Sequence, residues 1–132
     1  QSVRRRMPLA FADRTLWGRL ILEFGWVYAE FESLLKKHSD DEHVARVLPA
    51  LLPAVRAKAF AADAQYFLGS DHKLEMLPAT NHYVKWIQGL GSEDPKQLLV
   101  VAYTMIAALL AGGQIIRSFQ RTAMGLAADE GL

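Results

Sequence analysis

Apolar residues recur three or four apart along almost the whole chain, and no stretch alternates with period two over a useful length. That pattern predicts helices and no sheet. The first helix is predicted over 13–37, with Asp13 or Thr15 as its cap. Leu16, Leu20, Phe24, Val27, Phe31, Leu34 and Leu35 form its apolar stripe, and Trp17, Ile21 and Tyr28 widen it. Lys36 and Lys37 fall where the helix dipole favours cations. After a polar break at 38–41, a short helix is expected near 42–48, interrupted by Pro49 and Pro53. A further helix is expected over 53–68, kept thin by Ala54, Ala57, Ala59, Ala61, Ala62 and Ala64, and ended by Gly69-Ser70-Asp71. Thr80 is the expected cap of a helix over 81–88 that ends at Gly89-Leu90-Gly91. Asp94-Pro95 signals the start of a last long helix, running to about Met124 and broken or bent at Gly112-Gly113.

The run from Leu98 to Ile116 carries no charge. Three readings compete for it: a membrane span, a buried core helix, or a helix kinked at its glycine pair so that a flat ligand can lie against backbone. It meets the length of about 18 apolar residues that a span needs. However, Ala102, Thr104, Gly112, Gly113 and Gln114 are dispersed through it, and the other helices are amphipathic and need a central partner. A central helix is hydrophobic all round for the same reason. The expectation is therefore a buried helix and no membrane span.

Composition narrows the rest. The 132 residues suffice for one domain with a core, and 52% hydrophobic residues are too many for a disordered chain. A net charge of +1 gives no electrostatic case for nucleic acid. With no cysteine, a disulfide scaffold, a thiolate metal site and a cysteine nucleophile are excluded. Charge asymmetry appears only at Arg4, Arg5 and Arg6, which precede the first acidic residue, Asp13. The chain therefore divides into a basic N-terminal segment, 1–12, and a helical domain, 13–132. An Arg-rich, acid-poor start reads either as the tail of an organellar targeting segment, for a mitochondrion rather than a plastid, or as a solvated basic terminus. The start at Gln1 without Met leads to the expectation of processing or truncation.

Candidate chemistry is sparse. His38, His43 and His72 sit in or beside polar breaks, and His82 opens a helix; solvation is the simplest reading of each. No HExxH or ExxH pair exists, so no metal site is expected. Glu23, Glu30 and Glu32 read as a polar stripe rather than paired acid and base. Tyr103 and Thr104, in an apolar helix, are expected to hydrogen-bond inside the core. Among Trp17, Trp26 and Trp86, Trp26 falls off the main stripe and suggests a partner surface.

Several of these residues together resemble a known family. Ala102-Tyr103-Thr104, then Leu109-Leu110 and Ala111-Gly112-Gly113-Gln114, resemble the distal helix of haem oxygenases. Ala64 to Gly69 looks like the family's helix end before a variable loop, and Tyr83-Val84-Lys85 with Gly91, Glu93, Pro95, Leu98, Leu99 and Val100 resembles the segment leading into the distal helix. Tyr28 and Glu32 match a Y-x-x-x-E of an early core helix, and the resemblance implies that Glu32 caps or bridges inside the bundle. The likeness spans about 14–124 and implies an all-α, haem oxygenase-like bundle with a long helix kinked at Gly112-Gly113. If haem binds, the resemblance places it against Tyr103, Ala108, Leu109, Gly112 and Gly113. It also shows departures. The family's distal aspartate, which holds the water network supplying protons, aligns with Leu109; the glycine before it aligns with Ala108; an arginine after the Tyr-Thr pair aligns with Met105. By spacing, the helix with the iron-ligating histidine lies upstream of Gln1, and the helix holding the haem propionates lies beyond Leu132. The expectation is a non-catalytic relative, without catalytic residue, metal or cofactor, acting as an accessory or structural subunit among other protein subunits. The alternatives are a haem oxygenase yielding biliverdin, iron and carbon monoxide, or a haem-binding module without turnover.

Overall fold

The computed structural model describes residue 9 and residues 11–127, and among them there are helices and no strands. The basic run Arg4–Arg6, and with it the organellar expectation, lies outside the described residues. Helix α1 spans Arg14–Lys37 and α2 spans Glu42–Leu51, followed by a 3-10 turn at Leu52–Ala54. Helix α3 spans Ala57–Leu68, α4 Pro78–Glu93, α5 Gln97–Ala108 and α6 Gln114–Met124. A π-turn at Leu109–Gly113 joins α5 to α6, so that 97–124 runs as one helix. The predicted bend is thus an underwound turn and not a break.

The ends obey local chemistry. Asp13 caps α1, its carboxylate accepting from the Leu16 N–H at 2.9 Å. Asp41 caps α2 by accepting from the N–H groups of His43 and Val44. This helix runs past Pro49 to Leu51, further than expected. The proline forfeits one backbone bond, but Leu48 and Leu51 pack on the core. Helix α4 starts at Pro78, not Thr80, because proline is pre-set for the first helical position. It also passes through Gly89 and Gly91 to Glu93. Gly91 is needed for packing: a Cβ there would stand 3.3 Å from the Leu98 side chain.

The main core gathers Tyr28, Phe31, Leu34 and Leu35 of α1 with Val44, Ile87, Leu98, Val101, Ala102 and Met105. A second cluster joins Trp17, Ile21 and Leu22 to Ala64, with Phe11, Trp26 and Met124 against it. Phe60 touches both, its ring 4.9 Å from that of Tyr28. Helices α1 and α3 pack closely, but not because of alanines on α3, most of which are exposed. The groove belongs to α1. A Cβ at Gly18 would lie 2.7 Å from Phe67 Cβ, and one at Gly25 would lie 3.3 Å from Phe60 Cβ. Both pairs are seven residues apart and run in opposite senses, so the helices are antiparallel.

One expectation about side chains fails. The stripe on α1 rotates in its first half: Trp17 and Ile21 are buried, whereas Leu16, Leu20 and Phe24 are exposed. Trp26 is half-buried against the second cluster, with the Arg19 guanidinium 5.7 Å from its ring.

Candidate functional site

The three glutamates of α1 have separate structural roles. Glu23 is buried, pairs with Arg19 and accepts from the Leu77 N–H at 3.3 Å, fastening the loop before α4. Glu30 accepts from the Gln88 side-chain amide at 2.9 Å. Glu32 accepts from the N–H groups of Arg56 and Ala57 at 2.7 and 2.8 Å, so it caps α3 from a neighbouring helix. A carboxylate at a helix N-terminus is favoured by the dipole and satisfies orphan donors. None is half of an acid–base pair.

Tyr28, one turn before Glu32, aims at the long helix. Its buried hydroxyl donates to the Met105 carbonyl at 3.0 Å. Burial raises the phenol above its ordinary value of 10.0, so it remains a proton donor at neutral pH. Met105 lies about one turn before the π-turn, and its carbonyl also receives the Leu109 N–H. Tyr28 thus braces the point where the helix widens. Below it, Tyr28, Phe31, Glu32, Leu35 and Ile106 border a cavity of about 10 Å³, room for at most about one water.

The long helix has two faces. Leu98, Val101, Ala102 and Met105 enter the core, and Leu109 packs against it. Tyr103 and Thr104 do not hydrogen-bond inside the core. Tyr103 is 77% exposed, and the Thr104 hydroxyl donates to the Val100 carbonyl of its own helix. They lie on the side opposite Leu98 and Met105. The expectation of a buried helix also fails: only 17% of its most apolar window is buried, and the second half leaves its large apolar side chains exposed. Helix α6 buries Gln120 and leaves Ile115, Ile116 and Phe119 in solvent.

Among the residues expected to face haem, the structure gathers Ala108, Leu109, Gly112 and Gly113 on the π-turn, one turn apart in pairs. Tyr103 is about two and a half turns from Gly112 and points elsewhere. Ala108 is exposed, and a Cβ built on Gly112 meets nothing within 4 Å. A Cβ at Gly113 would meet Leu109 Cγ at 3.6 Å. The turn therefore offers a flat strip of backbone and methyl group, open on one side. The strip contains no carboxylate, imidazole or guanidinium. His43 and His82 are exposed, while His38 Nε2 and His72 Nδ1 are buried without a hydrogen-bond partner. Full solvation therefore does not hold for the last two. None of the four histidines belongs to α5, the π-turn or α6. Among the described residues, no group of three metal-ligating side chains forms.

This is an all-helical fold built around a long helix with a glycine-bearing π-turn. The heme oxygenase family model matches residues 8–132, and the chain belongs to that family. It is 33% identical to the heme oxygenase of Pyropia yezoensis over 122 residues, and 27% identical to heme oxygenase 1 of Nostoc sp. over 121 residues. Each match takes in 90% of this chain and 50% of the relative, so the chain spans about half the length of these curated relatives. The crystal structure of heme oxygenase-2 from Synechocystis sp. in complex with heme and NO superposes with a TM-score of 0.79 at 23% identity. That superposition covers 94% of this chain and 56% of the other. The likeness confirms the all-α fold.

Proposed function

We propose that the chain is a haem-facing member of its family that does not turn haem over. Haem bound on the π-turn would supply the iron chemistry; the protein would supply one wall. Ala108 and Gly112 leave room for a flat macrocycle. The observation that carries the reading is the position of Leu109. The resemblance aligns it with the family's proton-supplying aspartate, yet here it is a hydrocarbon packed against the core. Leucine orders no water, and the Tyr28 and Thr104 hydroxyls donate to the backbone carbonyls of Met105 and Val100. The strip can hold an apolar plane and has no group to move a proton to it. Haemin titration at the Soret band, followed by ascorbate and oxygen, tests this. A saturable band with no bilin product is expected; bilin formation overturns the reading.

A second reading, a non-catalytic structural subunit, is supported by the outward apolar residues of α5 and α6. A contiguous apolar surface of this kind marks a partner site in soluble proteins. Absence of any saturable haem band, with the chain recovered in an assembly of higher mass, supports it over the first.

A further inference from the structure

Between α3 and α4, residues 69–77 have no regular structure. Gly69 opens the segment with a φ of 82°, in the region that favours glycine, and Pro78 begins α4 at the other end. Most of its side chains are exposed, Leu74 and Leu77 among them, so apolar burial contributes little to its position. Arg19 and Glu23, one turn apart on α1, hold its backbone instead. The Arg19 guanidinium pairs with Glu23 and donates to the Glu75 carbonyl. Both carboxylate oxygens of Glu23 accept from the Leu77 N–H at 3.3 Å. The Trp26 ring, 5.7 Å from the guanidinium, fixes it from a third side. The side chains of the pair are only 21% and 11% exposed, so water screens them little and loss of either leaves the other uncompensated. One group favours release: His72 Nδ1 is buried without a hydrogen-bond partner, and opening returns it to water.

We infer that residues 69–77 are a strap clasped by Arg19 and Glu23, which opens as a unit and then presents Lys73 to a protease that cleaves after basic residues. The inference rests on neither reading of the long helix. A protease cleft takes several residues of extended chain, which a helix cannot give without unfolding and a loop can. Lys73 is exposed at the centre of the strap. The reaction is hydrolysis: water adds across the Lys73–Leu74 amide and leaves a carboxyl group and an amine. In the closed state the two tied backbone groups, at Glu75 and Leu77, lie just beyond that amide, on the stretch that has to enter the cleft. One guanidinium holds the Glu75 carbonyl and pairs with the carboxylate that holds Leu77, so its release frees both together. Such an opening is local and leaves the two apolar clusters in place. Cleavage then follows the open fraction of the strap and not global unfolding.

Trypsin under native conditions, with the fragments read by mass spectrometry, measures the opening. Cleavage after Lys73 should be slow in the native chain and faster by about tenfold or more in Arg19→Ala, with the other basic sites unchanged. Arg19→Lys keeps a cation beside Glu23 and should recover most of the protection. Arg46→Ala breaks an exposed pair with Glu42 on α2 and should be cleaved at the native rate. Hydrogen exchange gives a readout without a protease. The Leu77 amide should exchange more slowly than in a free peptide by about tenfold or more in the native chain, and should lose that protection in Arg19→Ala. If Arg19→Ala loses its far-ultraviolet helix signal, Glu23→Gln is read in its place. Its amide oxygen can still accept from Leu77, its charge is gone, and cleavage after Lys73 should again rise. Two results overturn the proposal: equal cleavage after Lys73 in the Arg19, Glu23 and Arg46 variants, or a Leu77 amide that exchanges at the free-peptide rate in the native chain. Because no step uses haem, failure here leaves the haem titration untouched.

Discussion

The two halves of the helix 97–124 differ in sequence and in surroundings: α5 is apolar almost all round, whereas α6 sets Arg117, Ser118, Gln120 and Arg121 beside Ile115, Ile116 and Phe119. In α5, Leu98, Val101, Ala102 and Met105 recur at helical spacing against α1, α2 and α4, and all four are buried. Beyond the π-turn, Ile115, Ile116 and Phe119 are as apolar and face solvent. Polar residues set the second half apart in sequence, but they do not say which of its sides meets the bundle. What separates them is whether a neighbouring helix supplies the complementary surface. The largest expected effect follows directly. Leu98→Ala should cost about 2–5 kcal/mol, because a fully buried side chain leaves a cavity. Leu110→Ala should move stability by less than about 0.5 kcal/mol in dilute protein. Urea denaturation at one micromolar checks both. Equal losses would show that the outer half is covered within the monomer.

The glycines sharpen the same contrast. Gly18→Ala forces a methyl to 2.7 Å from Phe67 Cβ and 2.8 Å from Leu68 Cγ, so α3 must shift. The expected cost is about 1–3 kcal/mol by thermal melts. Gly112→Ala meets nothing and should gain up to about 1 kcal/mol of helix propensity. If a macrocycle lies on the strip, the same methyl weakens haemin binding severalfold in a Soret titration. A variant that is more stable and binds haemin unchanged would move the ligand off Gly112.

Capping supplies a smaller difference. Glu32→Ala leaves the N–H groups of Arg56 and Ala57 without their acceptor, at a cost of about 1–3 kcal/mol. Glu30→Ala removes one exposed contact to Gln88 and should fall within about 0.5 kcal/mol. Hydrogen exchange localised to the first turn of α3 distinguishes the two: faster in the first variant, unchanged in the second.

The helices, the Asp13 cap, the start after Asp94-Pro95 and the end at Met124 are legible in the sequence because each depends on neighbours three or four residues away. The Gly18–Gly25 groove is not, because it depends on where Phe60 and Phe67 of another helix arrive. The resemblance implies that Glu32 caps or bridges inside the bundle, but that it caps α3 depends on where Arg56 and Ala57 arrive. The candidate site divides likewise. The glycine pair and the resemblance locate the π-turn and single out Leu109. The outward turn of Tyr103 follows from the rotation of α5 in the bundle, and Tyr103 was grouped with Gly112 on sequence likeness alone.

The smallest expected effect concerns a titrating contact between the outer half and α3. Asp63 on α3 has its carboxyl raised above 3.8, first by burial, with Arg117 of α6 pulling the other way. In this balance the folded chain holds the proton more tightly than the unfolded chain. The associated stability is full below the unfolded value and is lost as pH rises through the folded one. Asn resembles the neutral acid, so Asp63→Asn should be at least as stable as the native chain at pH 7, and the gap should close on acidification below 3.8. Arg117→Ala removes the opposing charge and should steepen the native decline between those pH values. Melting temperatures at half-unit pH steps read both. A destabilised Asp63→Asn at pH 7 would mean that the attraction to Arg117 outweighs burial. Charge would then fasten α6 to the bundle, and its outward apolar side would be a consequence of that pairing.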